Sequence, residues 1–206
     1  MKKLAVILCA LATLAWGMPK DLIEPTLKTD LESAMKILDS NAELNVKSYE
    51  LFSIFDKYFD YKLMAKLSLS KLYKGLSEPE QKKFCELFEA RVKQSFSEKL
   101  ALYSGQRVKI TGSENPTVNR YFVNAELKAA PNEAGESYKL LFKFYRANET
   151  GEFFIYDIDI IGVSLIQTYR AQFEDLGARA GFEEIEKRLQ SSNIPNPNEI
   201  KTVNDK

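Results

Sequence analysis

Two aspartates two residues apart, Asp157 and Asp159, are the best candidates for chemistry in this 206-residue chain. On a strand that spacing puts both carboxylates on one face as neighbours, and paired carboxylates can do acid/base work on sugars or hold a hard cation. No other ligand lies near them in sequence, so capping or bracing of local backbone, or plain exposure to solvent, is favoured over catalysis. Cys85 could be a nucleophile, but it sits beside Phe84 on a helix with no histidine to activate it. The chain has no histidine at all, which removes Ser-His and Cys-His pairs, histidine-ligated metals and the commonest general base together. No glycine-rich phosphate loop, dinucleotide fingerprint or calcium loop is present. The expectation is a protein that is not an enzyme and uses no metal and no cofactor.

The elements that would position these residues fall into three blocks behind a leader. Lys2 and Lys3, an apolar run from Leu4 to Leu14, and Ala15-Trp16-Gly17 ahead of Met18 have the form of a cleavable secretory signal, 1–17. Cys9 lies inside the apolar run and follows Leu8, which argues against a lipoprotein signal. Export leaves Cys85 as the one cysteine, so no internal disulfide can form and packing must supply the stability. It also leaves a net charge of about −2, with no clustered basic surface of the kind nucleic acid requires. With 45% apolar and 28% charged residues, the composition is that of a soluble globular protein. A single domain over 18–192 is expected, with a loose tail at 193–206.

From about Leu27 to Tyr103 the period is helical. Ser77-Glu78-Pro79-Glu80 reads as a capping box, and Phe84, Phe88, Val92, Phe96 and Leu100 follow at steps of four. Ahead of it, Phe52, Phe55, Phe59, Leu63, Met64 and Leu67 form another apolar helical stretch, broken near Asp60. From Gln106 to Gly162 the period changes to two, with turn clusters at Asn115-Pro116, 131–135 and 148–151, which predicts four consecutive antiparallel strands. In the third, Tyr138, Leu140, Phe142 and Phe144 share a face, with Leu141 and Tyr145 opposite. In the fourth, Phe154, Tyr156, Ile158 and Ile160 oppose Phe153, Ile155 and Ile161. Strands apolar on both faces need cover on both, and part of that cover can be a ligand. Helix returns from Ser164 to about Gln190.

One group of these residues runs Phe59-Asp60-Tyr61-Lys62-Leu63-Met64-Ala65, then Ser77-Glu78-Pro79-Glu80-Gln81, Phe84 and Phe88, ending at Leu102-Tyr103-Ser104-Gly105-Gln106. Another runs from Tyr156-Asp157-Ile158-Asp159-Ile160-Ile161-Gly162-Val163-Ser164 through Leu165-Ile166-Gln167-Thr168-Tyr169-Arg170-Ala171-Gln172-Phe173, followed by Gly181-Phe182. Together they resemble the MlaC family of periplasmic phospholipid-binding proteins, the toluene-tolerance auxiliary proteins of an ABC transport system. The resemblance implies an α+β domain whose twisted antiparallel sheet and N- and C-terminal helices enclose an apolar pocket for acyl tails. It also implies a phospholipid shuttle that maintains outer-membrane lipid asymmetry, docking with an outer-membrane lipoprotein complex and with an MCE-type transporter at the inner membrane. Asp157 and Asp159 fall inside the matched segment as framework.

On that footing the lining is assigned to Leu63, Met64 and Leu67 from the early helices and to Val92, Phe96 and Leu100 from the capped one. Leu140, Phe142, Tyr156 and Ile158 complete it from the sheet, and Val163, Ile166 and Tyr169 close it. Tyr103, Gln106 and Arg170 are placed at the mouth. Two rivals stand beside this reading: a binding protein or chaperone for another hydrophobic partner, and a hydrolase using the two aspartates.

Overall fold

The computed structural model describes residues 17–130, 137–177 and 180–191. The leader up to residue 16, with Cys9, lies outside the described residues, as do the turn cluster at 131–135 and the proposed tail at 193–206.

Helix α1, Ile23–Asp39, carries Ile23, Leu27, Leu31, Ala34 and Leu38 on one buried stripe, the three-and-four spacing of a helix covered on one side. Helix α2, Leu44–Phe55, runs into a 3-10 turn, Asp56–Tyr58. The break expected near Asp60 follows from a cap: the Asp60 carboxylate accepts the Leu63 amide at 2.8 Å and starts helix α3, Tyr61–Leu69. Such a cap satisfies an amide that the first helical turn leaves open. Helix α4, Glu78–Leu100, begins at the predicted capping box, where Glu80 accepts the Ser77 amide at 2.8 Å and the Ser77 hydroxyl at 2.6 Å. The hydroxyl, and after it the amide, hold the Glu80 carboxyl below its ordinary range.

Among the described residues the sheet has five strands, all antiparallel, in the order β1 Arg107–Thr117, β2 Arg120–Lys128, β3 Tyr138–Arg146, β4 Phe153–Ile160 and β5 Val163–Ser164. Four were expected. The fifth is two residues long and folds back through Ile161 and Gly162, whose φ angles are +55° and +78°. Two consecutive positive φ values are what a two-residue hairpin turn with the right twist demands. A strand this short leaves no period-two pattern to read.

A second correction concerns the faces of β4. Lys143 pairs with Asp157 but Phe144 pairs with Ile155, so Tyr156 is an extra residue in β4. A bulge of this kind interrupts the alternation of side chains. Phe153 and Ile155 therefore join Ile158 and Ile160 in one apolar cluster, while Tyr156 packs with the helices.

Two cores result. One lies between α1 and the sheet and holds Ile23, Leu27 and Leu31 against Val123, Phe142, Phe144 and Ile155. The other joins α3 and α4 to α5, Leu165–Ala171, and α6, Phe182–Ser191, around Phe84, Phe88 and Tyr169. Phe59 packs against both. The step-of-four series on α4 does not stay on one face, because four residues turn about 40° past a full revolution at 3.6 per turn. Phe84, Phe88 and Val92 face the helical core, and Leu100 has rotated round to a third cluster with Ala34, Leu38 and Leu51. Among the described residues no helix is long and apolar enough to cross a membrane.

Candidate functional site

Helix α1 covers the sheet only in part. Its first half is sunk among the sheet residues, whereas Ala34 and Leu38 turn to α2 and to the end of α4. A cavity of about 590 Å³ opens between α1 and the start of β1. Its floor is Leu31, Met35, Val108 and Ile110, and its rim carries Glu24, Lys28, Glu32, Lys36, Arg107 and Lys109. The position follows from topology, since β1 is an edge strand and its inward residues Val108 and Ile110 are only half-buried. A pocket of this size with an apolar base and a polar edge has the general character of a ligand site.

Polar contacts tie α1 to the sheet at both ends of this groove. Near the start of α1, Glu24 accepts hydrogen bonds from Ser113 and, at 2.5 Å, from the Tyr121 hydroxyl. The final residue, Asp39, accepts from the Tyr103 hydroxyl at 2.6 Å and from Arg107 at 2.9 Å. Burial, and then the Glu24 hydrogen bond, push the Tyr121 hydroxyl up. Burial, and then Asp39, do the same to Tyr103.

The Ser113 hydrogen bond first, and Tyr121 after it, hold the Glu24 carboxyl below its unfolded value of 4.5, against a smaller opposing effect of burial. A depressed carboxyl stabilises the fold at pH values above the unfolded value, and the gain is lost as pH falls through the folded one. Glu24→Gln is therefore expected to lower stability at pH 7 by about 1 kcal/mol. Urea denaturation across pH should show wild type and variant converging once Glu24 is protonated. A gap that stays constant or widens at low pH would contradict the assignment.

Asp157 and Asp159 do share one face, as their spacing predicted, and Lys143 sits between them at 3.1 and 2.5 Å. Asp157 is buried and also accepts from the Ser164 hydroxyl at 2.6 Å and the Ile166 amide at 3.1 Å. Ser164 in turn caps α5 by accepting the Gln167 amide at 3.1 Å. The carboxylate therefore welds β3, β4 and the start of α5 together. Burial pushes Asp159 above its ordinary value, with Lys143 pulling the other way. The same two aspartates raise Lys143 despite its burial. Asp157 is thus occupied by a lysine, a hydroxyl and a backbone amide, whereas Asp159 is held by Lys143. Cys85 is half-buried on α4, with its sulfur 3.6 Å from the Tyr73 hydroxyl.

The residues assigned to a pocket from sequence divide between the clusters. Met64, Val92, Ile166 and Tyr169 are buried in the helical core, with Leu67, Phe96 and Tyr156 packed against it. Leu63 is half-buried on α3, and Val163 is half-buried in β5. Phe142 and Ile158 belong to the core under α1, with Leu140 against it, and Leu100 and Tyr103 pack on the cluster at the far end of α1. Tyr103 is thus brought to the groove's end beside Arg107, and Gln106 lies next in the chain, its side chain donating to the Ser104 hydroxyl at 2.9 Å. Arg170 is held elsewhere, donating to the Leu67 carbonyl at 2.8 Å. The groove residues Leu31, Met35, Val108 and Ile110 were not singled out as pocket lining by sequence reasoning. A signal was available: Leu31 and Met35 alternate by helical turns with Lys28 and Lys36, an apolar stripe edged by cations.

Residues 28–191 match the family model described as MlaC protein. The chain belongs to the MlaC family. Its relatives include the intermembrane phospholipid transport system binding protein MlaC of Haemophilus influenzae, 25% identical over 124 residues. That match takes in 60% of this chain, and the chain spans 58% of the length of that curated relative. The fold of this MlaC-family chain is also similar to a phospholipid-binding protein from Ralstonia solanacearum solved in complex with a phospholipid. The TM-score is 0.66 at 19% identity, covering 81% of this chain and 94% of that one.

Proposed function

We propose that this chain is a periplasmic phospholipid carrier that holds acyl tails between α1 and the sheet, with the headgroup at the rim of the groove. The observation that carries the reading is the apolar floor of Leu31, Met35, Val108 and Ile110 beneath a charged edge. Membership of the MlaC family and the phospholipid held by a relative in fold support it. In this reading the tails reach past the groove toward Leu140, Phe142, Ile158 and Leu100, while Leu63, Met64, Leu67, Val92, Phe96, Tyr156, Val163, Ile166 and Tyr169 form the wall behind. The mature domain is 18–192, delivered by the leader at 1–17.

The physics suits a shuttle. Each methylene is worth about 0.8 kcal/mol on leaving water, so two long chains carry on the order of 20 kcal/mol that bare transit would forfeit. Transfer from bilayer to groove exchanges one apolar surrounding for another, which leaves the net difference small enough for release. Direction then comes from the partners, an outer-membrane lipoprotein complex and an MCE-type transporter at the inner membrane.

Native mass spectrometry of protein released gently from the periplasm of a Gram-negative host tests the proposal. The expected spectrum contains a second series displaced by the mass of one phospholipid. Bare chain alone, even after incubation with phospholipid vesicles, would refute it.

A further inference from the structure

We propose that Arg107 is the anchor for the phosphodiester of the bound lipid and that Asp39 competes with that phosphate for the guanidinium, an assignment that rests on the carrier reading above. Arg107 opens β1 and contributes to the lining of the groove together with Val108 and Ile110. Its Nη1 donates to the carbonyls of Gly105 and Gln106, both at 2.9 Å, and to the Tyr103 hydroxyl at 2.5 Å. The guanidinium is therefore oriented by its own loop, whatever its anionic partner.

That partner is Asp39, held through Nη2 at 2.9 Å, and both side chains are nearly half-exposed, at 47% and 46%. Ion pairs this open contribute little and exchange readily. A phosphodiester offers a guanidinium the same charge and the same two-oxygen face as a carboxylate. The surroundings favour the exchange. Four cations on the rim, Lys28, Lys36, Arg107 and Lys109, face two carboxylates, Glu24 and Glu32. Glu24 is already occupied by Tyr121 and Ser113. None of the three lysines forms an ion pair among the described residues.

The swap also couples loading to space. At roughly 30 Å³ per heavy atom, the volume share of a water molecule, the cavity admits about twenty heavy atoms, close to one acyl chain. A second chain needs α1 to move off β1, and Asp39 is the last residue of α1. Transfer of Arg107 from Asp39 to the lipid phosphate removes one of the contacts that hold that end down.

The test uses the full mature chain, delipidated and reloaded from detergent with phosphatidylglycerol or with diacylglycerol of the same tails, the latter lacking phosphate. Bound fractions are read by native mass spectrometry. Arg107→Gln is expected to lower phosphatidylglycerol retention roughly tenfold while diacylglycerol retention stays at the wild-type level. Arg107→Lys should fall between, and Asp39→Asn should retain phosphatidylglycerol better than wild type. Equal loss of both lipids in Arg107→Gln, or an Asp39→Asn protein that behaves like Arg107→Gln, would overturn the anchor and leave the carrier reading standing. A wild-type protein that binds neither lipid overturns both. Inorganic phosphate alone should not change the melting temperature of wild type; stabilisation by it that Arg107→Gln abolishes would assign the site to free phosphate and reject the lipid anchor.

Discussion

Met35→Trp and Ile110→Trp are each expected to leave the protein folded and to strip it of phospholipid. Both residues line the groove from opposite walls, one on α1 and one on β1, and both are half-buried with open space in front of them. An indole placed there takes the room of about four methylenes, worth about 3 kcal/mol of tail burial at 0.8 each. A loss of that size is roughly a hundredfold in retention. The measurement is the fraction of chain carrying a lipid mass after loading from vesicles, with circular dichroism and thermal melting as the check on folding. Val118→Trp is the control, because Val118 is 80% exposed beyond the end of β1 and adds the same ring outside the groove. If the two groove variants load as well as the control, the tails do not lie between α1 and β1.

Asp157→Ala is expected to be the most destabilising change at a polar position, by about 3–5 kcal/mol, the cost of breaking a buried pair from one side. It would leave the Ser164 hydroxyl and the Ile166 amide without their acceptor and Lys143 with only one of its two carboxylates. For a chain of this length that corresponds to a fall in melting temperature of roughly 6–20 °C. Asp159→Asn should cost far less. Burial already pushes the Asp159 carboxyl up, so folding favours its protonated form, a contribution present at low pH and lost as pH rises through the folded value. At pH 7 the charged form carries the burial penalty, and a neutral amide removes that penalty along with the attraction to Lys143. Chemical denaturation at pH 7 separates the two substitutions. Near-identical, small effects would mean that the pair is not bracing the fold and would return it to consideration as reactive groups.

Local chemistry was legible in the sequence because it is written in near neighbours. The Ser77 and Glu80 cap, the Asp60 break, the alternation of β2 and β3, and the absence of histidine all depend on residues within a few positions of one another. The quoted segments also carried the family, since the order of such local features is itself distinctive. Other features depended on where the chain returns to itself. The bulge at Tyr156 exists only through the pairing of β4 with β3, and it exchanged the faces that strict alternation assigned. The drift of α4 matters only because different partners wait around it, so Val92 and Leu100 end in separate clusters. The groove is the clearest case: Leu31 and Met35 meet Val108 and Ile110 across more than seventy residues of chain. Hydrophobic periodicity states that a face must be covered and is silent on what covers it. Only the three-dimensional closure of α1 over an edge strand left part of that face open, and with it a place for a ligand.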